Sequence, residues 1–351
     1  MARERIISHQ SLGQDEDQYA VTLRPQRLDE VVGQNRIVEQ LRIALEAARH
    51  RGEPMDHVLL SGPPGLGKTT FAHVIANELA STIRITSGPA ISKPGDLMHL
   101  LTEMKRGDVL FIDEIHRLSK PVEEFLYSAM EDFRVDFTID SGVGGRTVNI
   151  ALKPFTLIGA TTRSGLLTGA LRDRFGIPFH FEFYRPEELT AILERSAGKL
   201  AIDGETRALE TIANRSRGTP RVANRLLKRI RDYAQVRADG RLTPDVVDKA
   251  LDLQRIDALG LDDLDRMLLT ALIGTYRGGP AGIDALAATL GQERDTLEDV
   301  VEPYLLQVGF IIRTKQGRMA TQAACAHLGL PFPQAASPQS APDTGELFDT
   351  D

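Results

Sequence analysis

Residues 62–70 read Gly-Pro-Pro-Gly-Leu-Gly-Lys-Thr-Thr, and no other stretch of the chain restricts its fold so tightly. The apolar run 57–61 before it has the character of a buried strand, and the segment 70–79 after it has helical spacing. A Gly-x-x-x-x-Gly-Lys-Thr set between strand and helix is a phosphate-binding loop. Gly62, Gly65 and Gly67 let backbone N–H groups turn inward where a Cβ would obstruct them. The following helix aims its positive end at the same point. Lys68 would neutralise charge on the outer phosphates, the Thr69 hydroxyl would sit on Mg²⁺, and Thr70 completes the cradle. The loop therefore predicts an α/β fold that binds a nucleoside triphosphate, ATP with Mg²⁺.

The rest of the chain extends that expectation. Apolar runs at 58–60, 83–86, 109–112 and 156–160 alternate with helical segments, beginning with 28–50 and 69–79. Such alternation implies crossover connections and a parallel sheet. The pattern changes at 134–150. Period-two alternation over 134–140, a Gly-Val-Gly-Gly turn at 142–145 and a second run at 147–150 predict an inserted β-hairpin, either a contact arm or a simple edge extension. From Tyr184-Arg185-Pro186 onward the text is helical, with segments 186–200, 205–215, 220–236 and 244–253 separated by Gly- and Pro-containing turns. Three further helices (262–276, 283–290 and 294–307) lead into a short hairpin at 309–320, the order of a winged helix-turn-helix. The expected division is 1–184 as a large ATPase domain, 185–255 as a helical lid, 256–330 as a DNA-binding head, and 331–351 as a Pro- and Ser-rich disordered tail.

Charge alone does not choose a partner. The net charge is −7, yet Arg313, Lys315 and Arg318 fall within six residues in a stretch poor in acid groups. Screening confines repulsion from distant acids to about 10 Å, so such a patch can still grip phosphate. No run reaches the roughly 18 apolar residues of a membrane span. The single cysteine, Cys325, excludes an intrachain disulfide and suits a reducing, cytoplasmic setting.

Several polar residues punctuate the strand ends. The apolar run 109–112 ends in Asp113-Glu114, some 45 residues after Lys68. Asp113 is expected to hold the Mg²⁺ shell and Glu114 to polarise the attacking water. His116, with no partner at ligand spacing, reads as a cap or coupling residue. Run 156–160 ends in Thr161-Thr162-Arg163, and Thr162 is placed to sense a γ-phosphate; the alternative is a hydroxyl that caps the next helix. For Arg174, spacing by itself favours a surface ion pair. Arg221 opens a helix, where a cation is ordinarily disfavoured, so an anion is expected beside it.

These segments together resemble the AAA+ ATPases. The resemblance rests on Gly-Pro-Pro-Gly-Leu-Gly-Lys-Thr-Thr, Phe-Ile-Asp-Glu-Ile-His-Arg-Leu, Thr-Leu-Ile-Gly-Ala-Thr-Thr-Arg, Leu-Arg-Asp-Arg-Phe-Gly and Arg-Gly-Thr-Pro-Arg, in that order. The hairpin and the C-terminal unit make it closest to the branch with DNA-translocating motors of four-way junctions. What this implies is a homohexameric ring with ATP between subunits, acting in recombination and repair on duplex arms without reading sequence. Arg174 then corresponds to a finger offered to the neighbouring subunit, Thr162 to a first sensor and Arg221 to a second. Arg24 corresponds to a segment closing over the nucleotide, and Tyr184 to a domain-junction residue beside it. Arg294, Arg313 and Arg318 correspond to DNA contacts. The 134–150 hairpin corresponds to an arm that docks a junction-binding partner, with a junction resolvase as a further partner.

Overall fold

The computed structural model describes residues 21–138 and 147–332. The chain divides into two compact units, one ending at Gly260 and one beginning at Leu261.

The first unit is built on five parallel strands: β1 (Val58–Ser61), β2 (Ile83–Ser87), β3 (Val109–Asp113), β6 (Thr156–Thr161) and β7 (Ile177–His180), in the spatial order β2-β3-β6-β1-β7. Alternation along the strands sends side chains into two separate cores. Val58, Leu60, Phe111 and Ile158 join one, while Leu59, Leu110, Ile112 and Leu157 join the other. Helices α1 (Asn35–Arg51) and α2 (Lys68–Glu78) cover the first face through Leu41, Leu45, Phe71 and Ile75. Helices α3 (Pro94–Thr102) and α4 (Lys120–Glu131) cover the second through Leu97, Leu101, Val122 and Leu126. Strand β7 escapes sequence reasoning because Pro178 interrupts it; pairing only with β1, it is an edge strand, where a missing N–H is tolerated.

The expected helix over 28–50 is divided. Leu28–Glu30 forms a single 3₁₀ turn, and α1 begins only at Asn35. Between them Gly33 has φ +74°, and a Cβ there would lie 2.8 Å from the Tyr184 ring, so the chain bends where that ring packs. Strands β4 (Arg134–Thr138) and β5 (Thr147–Ala151) pair antiparallel, apart from the main sheet. Val135 anchors the pair in the second core. The expected turn at 142–145 lies outside the described residues, as does most of the 331–351 tail.

After the short helix α5 (Gly169–Arg172), four helices follow: α6 (Pro186–Lys199), α7 (Thr206–Asn214), α8 (Pro220–Arg237) and α9 (Pro244–Leu253). Proline at the first position of α6, α8 and α9 suits a site whose N–H has no helical partner. Leu189, Leu193, Leu226 and Ile230 extend the first core into this layer.

The second unit starts with α10 (Asp263–Thr270), whose first turn is held by the Asp262 carboxylate accepting from the backbone N–H groups of Leu264 and Asp265. Next come α11 (Ile283–Leu290), α12 (Arg294–Thr296) and α13 (Glu302–Gln307). A wider π-turn, Leu297–Val301, joins α12 to α13. Pro303 explains it, since a proline ring crowds the preceding turn and donates nothing to it. Strands β8 (Ile311–Thr314) and β9 (Gly317–Ala320) form the hairpin, turning through Lys315-Gln316. Helix α14 (Gln322–Leu328), capped by Thr321, closes the unit beyond the expected elements. Among the described residues no helix is long and apolar enough to cross a membrane.

Candidate functional site

The phosphate-binding loop leaves β1 with all three glycines at positive φ: Gly62 at +137°, Gly65 at +82° and Gly67 at +96°. A Cβ on Gly62 would sit 2.7 Å from the Phe181 carbonyl oxygen, so both conformation and space require glycine there. The loop delivers the chain into α2, whose first N–H groups lack helical acceptors. Lys68 is buried, and its Nζ donates to the Gly62 and Pro63 carbonyls, each at 2.8 Å. Burial pulls its pKa down to about 8, while Asp113 and Glu114 push it back up and Arg221 lowers it further.

Above this loop lies a cavity of about 210 Å³ between the sheet and the lid helices. Arg24, Gly65, Gly67, Lys68, Thr69, Thr70, Asp113, Glu114, Thr162, Tyr184 and Arg221 all line it. Residues more than 190 positions apart therefore converge on one space. Asp113 accepts from the Glu114 N–H at 2.9 Å, and Glu114 has a left-handed backbone, φ 50° and ψ 43°. Its Oε2 lies 3.4 Å from His116 Nε2, whose Nδ1 lies 2.9 Å from the Thr161 hydroxyl. Thr161 Oγ1 also accepts from the Arg163 N–H at 3.0 Å. Thr162, the next residue, lines the cavity.

Tyr184, at the domain junction, and the lid residue Arg221 both contact the loop. The Tyr184 hydroxyl donates to the Leu66 carbonyl at 3.3 Å, and the Arg221 N–H donates to the Gly65 carbonyl at 3.4 Å. Burial raises the Tyr184 pKa, so the phenol stays protonated and keeps donating.

Arg174 is not brought to this cavity. Its guanidinium lies 4.2 Å from the centre of the Tyr127 ring and donates to the Ala170 carbonyl and to Glu131, at 2.6 and 3.1 Å. The cavity also has walls that sequence reasoning missed. Val31, Val32 and Ile192 supply apolar surface, and Arg195, Asn224, Arg225 and Lys228 supply polar groups. The spacing of 221, 224, 225 and 228 marks one helical face and was the available signal. Nothing local distinguished Val31 and Val32.

The donor set suits a triphosphate with Mg²⁺: inward-facing N–H groups, a buried ammonium, a hydroxyl and an acidic pair. Two buried polar atoms of the cavity residues, Arg195 Nε and Asn224 Oδ1, have no hydrogen-bond partner in the protein.

In the second unit, the hairpin places Arg313 directly across from Arg318. Both grip the buried carboxylate of Glu302: Arg313 by Nε and Nη2 at 2.8 and 2.7 Å, Arg318 by the same atoms at 2.8 and 3.1 Å. Arg318 also reaches Glu298 at 3.3 Å. The two guanidiniums hold the Glu302 carboxyl below its usual range against the opposing effect of burial. The Arg313 side chain remains 50% exposed, against 16% for Arg318. Arg294, 54% exposed, pairs with Asp284 and Glu298 at 3.5 and 3.4 Å. The positive patch is therefore partly neutralised from beneath by acids that lie earlier in the sequence.

Comparison with known proteins gives a consistent picture. Residues 23–181 match the model of the Holliday junction DNA helicase RuvB P-loop domain, 184–257 the RuvB AAA lid domain, and 258–329 the RuvB C-terminal winged helix domain. The Holliday junction branch migration complex subunit RuvB of Kosmotoga olearia is 55% identical over 327 residues, covering 93% of this chain and 95% of that one. A solved structure of RuvB from Thermotoga maritima, described as a Holliday junction branch migration motor, is 54% identical. It has a TM-score of 0.81 and covers 89% of this chain and 100% of its own. A lysine-to-arginine variant of that protein gives 0.82 at 53% identity, covering 89% and 99%. With three consecutive domain models spanning nearly the whole chain and more than half its residues shared with such relatives, this protein belongs to the RuvB family.

Proposed function

We propose that this chain is the ATP-hydrolysing motor subunit that translocates duplex DNA to migrate Holliday junctions, working as a homohexameric ring with RuvA and alongside the RuvC resolvase. The observation that carries the reading is the convergence of Lys68, Thr69, Asp113, Glu114 and Thr162 with the lid residue Arg221 on one cavity. Lys68 and the N–H groups of the loop would hold the phosphates, and Thr69 and Asp113 would hold Mg²⁺. When bound, the ion would supply charge neutralisation to the phosphates. Glu114 orients and polarises water, and Thr162 faces the reacting end.

Arg174, held away from its own subunit's cavity by Glu131 and Tyr127, is suited to complete a neighbour's site. Because Arg221 and Tyr184 contact the loop through backbone carbonyls, a change at the phosphates would be carried to the lid helices. In the winged unit, Arg294 and Arg313, each about half exposed, are the better-exposed candidates for a phosphate contact. Arg318 would contribute less, because it is mostly buried between Glu302 and Glu298. Contacts to phosphate of this kind are independent of sequence, as a translocating motor requires. The 134–150 arm, anchored at Val135 with Val148 exposed, is the proposed seat of RuvA. The domain limits 1–184, 185–255 and 256–330, with a tail from 331, remain the working division for these roles.

The test follows strand separation of a fluorescent synthetic four-way junction with ATP and Mg²⁺, with and without RuvA. The expected result is ATP-dependent resolution into duplexes, lost in Lys68→Ala. Hydrolysis without junction processing, even with RuvA present, would assign the chain to AAA+ factors that load or assemble other proteins on DNA.

A further inference from the structure

We infer that Tyr127 is a positioning residue for hydrolysis in the adjacent subunit: its ring supports the Arg174 guanidinium and sets where that cation is presented. This rests on the reading of Arg174 as a group offered to a neighbour's nucleotide. Glu123, Tyr127 and Glu131 recur every four residues along α4, so they lie along one face of that helix. All three meet the segment 168–174. The guanidinium carbon sits 4.2 Å from the centre of the Tyr127 ring, and Nη2 donates to Glu131 at 3.1 Å. The ring is itself fixed from its far end. Its hydroxyl donates to Glu123 Oε1 at 2.6 Å, and the Thr168 hydroxyl donates to the same oxygen. Thr168 Oγ1 in turn accepts from the Leu171 N–H at 3.2 Å, and so caps α5, the turn that leads to Arg174. These contacts tie the ring beneath the guanidinium to the start of the helix that carries it.

Glu131 and Tyr127 hold the guanidinium in different ways. The Glu131 side chain is 56% exposed, and a surface ion pair of this sort contributes little. A triphosphate bears more charge and accepts the same N–H groups, so it can take the place of Glu131. A ring face instead attracts the cation through its quadrupole and takes up none of its hydrogen-bonding N–H groups. It can therefore support the guanidinium both before and after contact with phosphate. Burial, and then the bond to Glu123, raise the Tyr127 pKa. The ring is thus neutral at physiological pH, and the contact needs only its aromatic face. A long side chain held in this way loses less rotational freedom when it reaches a ligand.

The test measures ATP hydrolysis by the full-length protein on a synthetic four-way junction, alone and in rings mixed from two variants. Tyr127→Leu, which removes the ring face, is expected to lower kcat about 5-fold and to change KM for ATP by less than about 2-fold. Tyr127→Phe, which keeps the face, should retain at least about half of the wild-type kcat. Because Arg174 acts on the neighbour, Tyr127→Leu subunits keep intact nucleotide sites of their own. Lys68→Ala subunits have dead sites but a properly supported Arg174. Mixed in equal amounts, the two should hydrolyse about 3-fold faster per Tyr127→Leu subunit than Tyr127→Leu alone, because about half of its sites then face a supported arginine. Wild type mixed with Lys68→Ala is the reference. No gain in the mixed rings would place the damage in the subunit's own site and overturn the inference. A Tyr127→Phe as slow as Tyr127→Leu would also overturn it, through a variant that keeps the packed ring, since the hydroxyl rather than the face would then matter. Arg174→Ala mixed with Lys68→Ala tests the premise: no gain for that pair against the reference would instead refute the reading of Arg174 itself.

Discussion

Filling the phosphate-binding loop should draw a proton from solution, and Lys68 sets the amount. Its ammonium is buried under Gly62 and Pro63, and desolvation lowers its pKa from 10.5 to about 8. That difference costs the ligand-free fold about 3 kcal/mol wherever the lysine must stay charged. The sign follows from linkage: between pH 8 and 10.5 the unfolded chain binds more protons at this residue than the folded one. Stability of the ligand-free protein should therefore rise with pH across that window, with the full cost borne below pH 8. A bound triphosphate restores the ammonium by placing several negative charges against it. Binding should then take up about 0.1 proton at pH 7, about 0.5 at pH 8 and about 0.9 at pH 9. Titration calorimetry in buffers of different ionisation enthalpy reads this number directly, since the observed heat varies linearly with buffer enthalpy. Lys68→Arg, whose guanidinium does not titrate in this range, is the control and should show no uptake above pH 8. Wild-type heats that do not depend on buffer at pH 8.5, or equal uptake in Lys68→Arg, would refute the argument.

Other perturbations test separate parts of the structure. His57 is buried, which lowers its pKa; its Nε2–H donates to the Met130 carbonyl at 3.1 Å and Nδ1 accepts the Leu157 N–H at 2.9 Å. Protonation would set two N–H groups against each other, so the melting temperature should fall as pH drops below 6.5, and His57→Phe should show a flatter acid slope from a lower starting stability. Glu302→Ala leaves two arginines facing each other without their shared counter-ion and should destabilise the winged unit by about 3 kcal/mol in urea unfolding; a loss under 1 kcal/mol would show that solvent replaces the carboxylate. Arg313→Ala should reduce the salt slope of duplex DNA binding by about one, and Arg318→Ala by clearly less, because Arg313 stays half exposed while Arg318 is mostly buried between Glu302 and Glu298. Equal slopes for the two variants would contradict that division. Gly62→Ala, with φ +137° and a Cβ 2.7 Å from the Phe181 carbonyl, should abolish ATP binding measured by fluorescence while the sheet persists by circular dichroism.

Local chemistry was enough to determine the parts that depend on few residues. The glycines at 62, 65 and 67, the acidic pair 113–114 and the strand-end threonines each require particular residue types at particular spacings, so the parallel sheet and the cavity at its strand ends were legible before any coordinates. The winged unit was legible for the same reason, from three helical periods followed by a two-residue turn. Tertiary structure decided what depends on partners distant in sequence. The bend at Gly33 exists because the Tyr184 ring packs there, and β7 is a strand only because β1 offers it an edge. The Thr161 hydroxyl is tied to His116, and Thr162 lines the cavity. The charge of Arg313 and Arg318 read as free in the sequence, because Glu302 precedes the basic stretch on a different element. A count along the chain cannot register a carboxylate that folding brings beneath the hairpin. Asn224 and Arg195 were invisible for the same reason: an unpaired buried atom is a property of its surroundings, and only the folded chain supplies them.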